Sequence, residues 1–139
     1  MAAPRGAAAR RVTVSILSVE DEVLNRALLR EVMARDAVLR EARLVEATSL
    51  AEARAAIATD RFDLVILDMR LPDGDGLSIA RELQARQDRP AILVLSANVQ
   101  EEHRRAATDA GADAFVGKPY RVPGLIDEIG RLLPGNRQR

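Results

Sequence analysis

A doubly wound α/β fold, with a parallel sheet covered by helices on both faces, is the architecture this sequence predicts. Five short apolar runs alternate along the chain with five helical patterns. Two of the runs, "DLVILD" (63–68) and "AILVLS" (91–96), are almost unbroken rather than alternating, as strands buried on both faces must be. Strongly polar residues follow four of the runs at their C-terminal ends, the edge at which open sheets of this kind bind ligands.

Taken in order, the strand candidates are "VTVSILSV" (12–19), "RLVEA" (43–47), 63–68, 91–96 and "DAFVG" (113–117). The helix candidates span about 22–35, 50–59, 76–87, 99–110 and 122–133. Ser49 with Glu52 has the spacing of a capping box, and Asn98 with Glu101 is an asparagine-headed analogue. Gly111 stands where a C-terminal helix glycine belongs, and Pro123 suits a first helical turn. Consecutive parallel strands need crossovers over one face of the sheet, which is what the intervening helices supply.

At 139 residues the chain fits one domain with one core. Residues 1–11 are expected to be a disordered leader, 12–133 the folded domain and 134–139 a flexible tail. Lys plus Arg and Asp plus Glu both number 21, so net charge offers no long-range attraction to nucleic acid or membrane. Three aromatic residues in all make a base-stacking platform a poor expectation. Zero cysteines exclude disulfides, thiol catalysis and cysteine-ligated metal. No apolar run reaches the roughly 18 residues of a membrane helix, and "MAAPRGAAARR" lacks a secretory core. The expectation is a cytoplasmic protein with no membrane partner and no direct nucleic-acid contact.

The polar strand ends carry the chemistry. Strand 1 runs into Glu20 and Asp21, strand 3 ends on Asp68, strand 4 on Ser96, and strand 5 is followed by Lys118. Two carboxylates ~5 Å apart repel by roughly 3 kcal/mol at an effective dielectric of about 20, so a cluster of three needs cations. Lys118 supplies one charge, and a hard divalent ion bound through oxygen supplies the rest. Mg²⁺ takes one or two carboxylates and keeps several waters, whereas one histidine and no cysteine suit Zn²⁺ poorly. Such a shell leaves room for phosphoryl oxygens, which makes Asp68 a candidate nucleophile forming an aspartyl phosphate.

At these residues the chain resembles the receiver domain of bacterial two-component response regulators. "ILSVEDE" is similar to the acidic strand-1 end of that family, "LVILDMRLPDGDG" to its phosphoacceptor segment, "VLSAN" to its hydroxyl-bearing strand-4 end and "DAFVGKPY" to its lysine–proline segment. The resemblance covers about residues 12–133, in family order and spacing. It implies a flavodoxin-like fold with a five-stranded parallel sheet in the order 2-1-3-4-5 and five helices. It also implies Mg²⁺ held directly by Asp21 and Asp68, through water by Glu20, and by the main-chain carbonyl of Arg70. Asp68 would accept phosphate from a histidine kinase or histidine phosphotransfer protein. Ser96 and Lys118 would bind the phosphoryl oxygens, with the Lys118–Pro119 peptide cis. Ser96 and Phe115 would form the switch that reaches the outer face of helix 4, strand 5 and helix 5. On this reading the chain is a signalling phosphoprotein, not an enzyme beyond its own phosphotransfer and autodephosphorylation. It would be a monomer or a phosphorylation-dependent dimer.

Glu20 is longer than the aspartate frequent in the family, Phe115 lacks the hydroxyl of a tyrosine, and Arg70 is a large cation beside the acceptor. "EVLNR" and "SAN" are also similar to receivers of hybrid kinases and single-domain phosphorelay regulators. Plainer roles stand beside each assignment. Asp21 alone would serve as a helix cap, Ser96 as a strand-end hydrogen bonder and Lys118 as a solvated loop charge. Asp73 and Asp75 fit turn formation and capping of helix 3, and His103, among Glu101, Glu102, Arg104 and Arg105, fits a solvated helix face.

Helix 1 carries more apolar surface than one core-facing stripe requires. Val23, Leu24, Ala27, Leu28, Leu29, Val32 and Met33 spread over more than half its circumference. Leu29 or Met33 is the expected exposed member, docking a kinase or phosphotransfer helix; the plainer reading is a broad helix buried by the neighbouring terminus. Competing readings are a pseudo-receiver without phosphate control, a Mg²⁺-dependent phosphatase of the haloacid-dehalogenase type and a flavodoxin-like cofactor binder. The phosphatase expects a second Asp where Arg70 stands, and "VEDE" offers carboxylates where a cofactor phosphate needs amides. The residues after the last helix are too few for an output domain. Effects are therefore expected to pass to a downstream protein effector, unless the chain is an excised fragment.

Overall fold

The computed structural model describes residues 13–134. The expected leader at 1–11 and all of the expected tail but Pro134 lie outside the described residues. Five strands form one parallel sheet: β1 (Ser15–Val19), β2 (Arg43–Ala47), β3 (Leu64–Asp68), β4 (Ala91–Ser96) and β5 (Ala114–Gly117). Their order is 2-1-3-4-5, with Val19 beside both Ala47 and Leu67, and Asp68 beside Leu95. The helices are α1 (Val23–Ala34), α2 (Leu50–Thr59), α3 (Leu77–Gln84), α4 (Glu101–Asp109) and α5 (Val122–Leu132). A short 3₁₀ turn, Leu39–Glu41, leads into β2. Arg70–Leu71 and Gly74–Asp75 close a small antiparallel ladder in the loop after β3.

Alternating strand residues point to opposite faces, and two core layers result. Leu17, Val65, Leu67 and Val94 pack against α2, α3 and α4 through Ala53, Ile79, Leu83 and Ala107. Ile16, Leu64, Ile66 and Leu93 pack on the other face against α1 and α5 through Leu29, Val32, Met33, Leu125 and Ile129. Each fully buried Leu or Ile contributes about 1.5–3 kcal/mol relative to exposure. That burial is why β3 and β4 read as continuous apolar runs.

This packing corrects the expectation for α1. Leu29 and Met33 are core residues, 3% and 4% exposed, whereas Val23, Leu24 and Leu28 are 64%, 79% and 45% exposed. The cause is α5, whose apolar stripe covers the Leu29 side of α1 and leaves the strip at the start of the helix open. The surplus apolar surface is present, on different residues.

The helix ends are partly as expected. Ser49 Oγ accepts the Glu52 N–H at 3.1 Å, while the Glu52 carboxylate reaches back to the Thr48 N–H at 2.7 Å, one residue beyond the N-cap that a capping box would engage. Gly111, at φ +105, ends α4. Its N–H goes to Thr108 O and that of Ala112 to Ala107 O, satisfying two terminal carbonyls. Pro123 lies in the first turn of α5. Asn98 does not cap α4: Gln100 holds that position, and Asn98 Oδ1 accepts the Gln100 N–H from two residues ahead. Asp73 caps α2 rather than α3, accepting the N–H groups of Leu50 and Ala51 at 2.8 and 3.1 Å. Asp75 does serve α3, through the Leu77 N–H at 2.9 Å.

Candidate functional site

Parallel topology brings the C-terminal ends of β1, β3, β4 and β5 to one edge, and the polar residues expected there meet. Glu20, Asp21 and Asp68 each offer a carboxylate oxygen within 4.8 Å of the others. Lys118 Nζ stands 3.2 Å from Glu20 Oε1 and 3.4 Å from Asp68 Oδ2, with side chains of all three largely buried. The Lys118–Pro119 peptide is cis. Three acids therefore lie together in a partly desolvated place, where their repulsion is poorly screened, and the ammonium pairs with two of them, Glu20 and Asp68.

Asp68 shows the consequence. Burial raises its pKa, the Lys118 charge pulls it back down and Glu20 pushes it up again. Its Oδ1 accepts the Arg70 N–H at 3.3 Å, so Arg70 engages the site through its main chain while its side chain is exposed. Gly76 explains how Asp68 is placed. A Cβ at this glycine would lie 2.0 Å from the Asp68 carbonyl oxygen, so the start of α3 can back onto the strand end only without a side chain. The Gly76 N–H is tied to Met69 O at 2.8 Å.

Ser96 is buried and close in register, its carbonyl accepting the Lys118 N–H at 2.8 Å. Its hydroxyl is engaged locally, donating to Asn98 O at 3.0 Å and accepting the Asn98 N–H at 3.0 Å. Phe115, half-buried on β5, pairs with Val94 and lies under Arg104 of α4, whose guanidinium carbon is 4.8 Å from the ring centroid.

An open cleft of about 1220 Å³ exposes this edge, lined among others by Asp21, Asp68, Arg70, Ser96, His103 and Lys118. His103 thus borders the cleft rather than standing on a fully solvated face. It is half-buried, and its Nδ1 is buried with no hydrogen-bond partner. Behind the cluster lies a cavity of about 20 Å³ bounded by Ser18, Glu20, Asn25, Asp68, Lys118 and Tyr120. That is room for one water molecule.

The donor set is all oxygen, from carboxylates on two strand ends, with a cleft on its open side. This fits a hard divalent cation that retains water and does not fit a soft metal. One residue of the site had no signal in the pattern of strand ends. Arg26, in the first turns of α1, donates from Nη1 to Glu20 O at 3.2 Å and to Asp21 O at 3.0 Å.

Comparison with known proteins bears on the whole described fold. The model of the response regulator receiver domain matches residues 16–130. The KDP operon transcriptional regulatory protein KdpE of Escherichia coli is 40% identical over 111 residues, covering 80% of this chain and 47% of that protein. Response regulator MprA of Mycobacterium ulcerans is 35% identical over 122 residues, covering 88% and 51%. The chain thus spans about half the length of these curated relatives. A CheY-like receiver domain protein of Methanospirillum hungatei superposes with a TM-score of 0.80 at 20% identity, covering 91% of this chain and 98% of that one. The expectation of no direct nucleic-acid contact finds no support among these relatives, one of which is named a transcriptional regulator. Among the described residues, no helix is long and apolar enough to cross a membrane.

Proposed function

The chain belongs to the response regulator receiver domain family of two-component signalling, and from that premise we propose that Asp68 is its phosphoacceptor. The observation that carries the reading is the Asp68 carboxylate, 3.4 Å from the Lys118 ammonium and within ligand distance of Glu20 and Asp21, at the floor of an open cleft. An Asp68 carboxylate oxygen attacks the phosphorus of a phosphohistidine, the P–N bond breaks, and its electron pair leaves with the imidazole. Lys118 stands where it pairs with the incoming phosphoryl oxygens. Asp21 and Asp68 would hold Mg²⁺ directly, Glu20 through water, and Arg70 through its carbonyl. When bound, the ion supplies charge neutralisation for the carboxylates and the phosphoryl group.

Phosphorylation adds about 1.5 to 2 negative charges. Ser96 then has reason to exchange its local bonds to Asn98 for a phosphoryl oxygen, and Phe115 to follow it, repacking the face of α4, β5 and α5 for a downstream effector. Moving a two-state element from 1:99 to 99:1 takes about 5.5 kcal/mol of differential interaction. The resting and switched arrangements must therefore already lie close in energy. The donor is a histidine kinase or a histidine phosphotransfer protein, docking on the open apolar strip of Val23, Leu24 and Leu28 beside the cleft. The domain works as a signalling phosphoprotein in the cytoplasm, as a monomer or a phosphorylation-dependent dimer.

The test is the intact mass after incubation with Mg²⁺ and acetyl phosphate. The expected result is a gain of one phosphoryl group that EDTA prevents and Asp68→Asn abolishes. An unmodified wild-type chain would leave a receiver fold without phosphate control.

A further inference from the structure

Arg26 is placed against the grain of its helix. A cation in the first turns of an α-helix opposes the positive end of the macrodipole, and α1 has neither an acidic residue in its first turn nor a side-chain cap. Helix stability therefore does not account for it. The two hydrogen bonds of its guanidinium go to main-chain carbonyls, those of Glu20 and Asp21, and not to carboxylates.

The peptide unit between Asp21 and Glu22 gives these bonds a meaning. Its carbonyl accepts from Arg26 at 3.0 Å, and its N–H donates to Glu20 Oε2 at 3.1 Å. The other Glu20 oxygen is 3.2 Å from Lys118 Nζ. One continuous path thus runs from the Arg26 guanidinium through a peptide plane to the Glu20 carboxylate and on to the ammonium. Hydrogen bonds in such a chain polarise and orient one another.

We infer that Arg26 is a positioning residue that clamps the acidic turn after β1 and so fixes the Glu20 and Asp21 carboxylates for a divalent cation. The inference rests on the receiver reading for the identity of the cation, while the clamp itself is a property of the metal-free chain. Two effects of Arg26 compete. As a bare charge it repels a cation and lowers affinity. As a clamp it preorganises the ligands and raises affinity, the role by which outer-shell partners of metal ligands carry about 10- to 100-fold in binding. The sign of the change on removing Arg26 decides between them.

The experiment compares wild type, Arg26→Met and Arg26→Lys as full chains by two-dimensional amide NMR, with MgCl₂ titration and hydrogen exchange at Glu22. Arg26→Met should weaken Mg²⁺ binding about tenfold and speed Glu22 amide exchange in the metal-free protein, with the urea midpoint little changed. Arg26→Lys, which keeps an ammonium with donors to spare on a shorter stem, should fall between the two. Unchanged or tighter Mg²⁺ binding in Arg26→Met overturns the inference, because charge alone would then describe the residue. A wild type that binds no Mg²⁺ would instead sink the metal reading, and the clamp would stand or fall on Glu22 exchange, unchanged rates overturning it. Should Arg26→Met not fold, Arg26→Lys is read on the same two quantities, with values equal to wild type counting against the clamp.

Discussion

The two edges of the sheet carry acids on opposite terms. At the N-terminal edge each carboxylate has its own partners. Asp63 accepts the Ser15 N–H at 2.8 Å, and Asp113 accepts the Ile92 N–H at 2.8 Å and faces Arg89 at 3.3 Å. Asp60 pairs with Arg43 at 2.9 Å. At the C-terminal edge carboxylate oxygens of Glu20, Asp21 and Asp68 crowd within 4.8 Å of one another, and a lysine, Lys118, pairs with Glu20 and Asp68. The first set closes the starts of strands and is electrically settled. The second is buried and crowded with like charge, and Asp68 shows the result: burial first, and Glu20 after it, raise its proton affinity against the pull of Lys118. Function is legible in that imbalance more than in the mere presence of acids.

The comparison breaks most visibly at Gly76. Adding a methyl group 2.0 Å from the Asp68 carbonyl oxygen forces the strand end and α3 apart. Gly76→Ala should lose about 3 kcal/mol in urea unfolding together with phosphoryl uptake. Removing an acid from the settled edge should cost less. Asp63→Ala orphans a half-buried N–H and should destabilise by about 1–2 kcal/mol, with acetyl phosphate labelling retained.

The same kind of change at the crowded edge should have the opposite sign. A raised native pKa means that ionised Asp68 opposes folding at neutral pH, so in EDTA Asp68→Asn should melt a few degrees above wild type. The sign follows from linkage: the folded state binds the proton more tightly, and wild type recovers stability as pH falls through the raised native value toward the ordinary one. The gap between the two melting curves should close in that window. A gap that instead widened on acidification would mean Asp68 is held ionised by Lys118, and the two edges would be alike.

Smaller effects sharpen the picture at the surface. Leu24→Glu should leave stability within about 0.5 kcal/mol and labelling by acetyl phosphate intact while slowing transfer from a protein donor. Equal rates from protein would remove the α1 strip from docking. Phe115→Ala should keep labelling and weaken phosphorylation-dependent partner binding, read by titration calorimetry.

Much of this was legible in the residues, for reasons particular to them. β3 and β4 announce themselves because burial on both faces leaves no polar alternation, and the site follows because parallel strands must end on one edge. What stayed hidden depends on distant partners. Nothing near Asp73 says that its carboxylate reaches Leu50 and Ala51, 23 and 22 residues away. Which part of the broad apolar surface of α1 is covered is decided by α5, about a hundred positions later, and so Leu29 and Met33 turned out buried while Leu24 stayed open. His103 has charged neighbours in sequence, yet its ring lines the cleft because α4 presents that side to the loop after β3. Arg26, within "EVLNR", gives no signal of its own in the sequence, since a guanidinium that seeks carbonyls leaves no pattern of paired charges.

Ser96 holds its hydroxyl in a closed loop with Asn98, giving one hydrogen bond and receiving another. Any signal that recruits this oxygen must first open the loop, forfeiting about 0.5–1.5 kcal/mol for each bond. On the proposed reading, that is a detent: weak or passing anions in the cleft would leave the output face at rest, and only a ligand covalently fixed opposite Lys118 would persist long enough to release it.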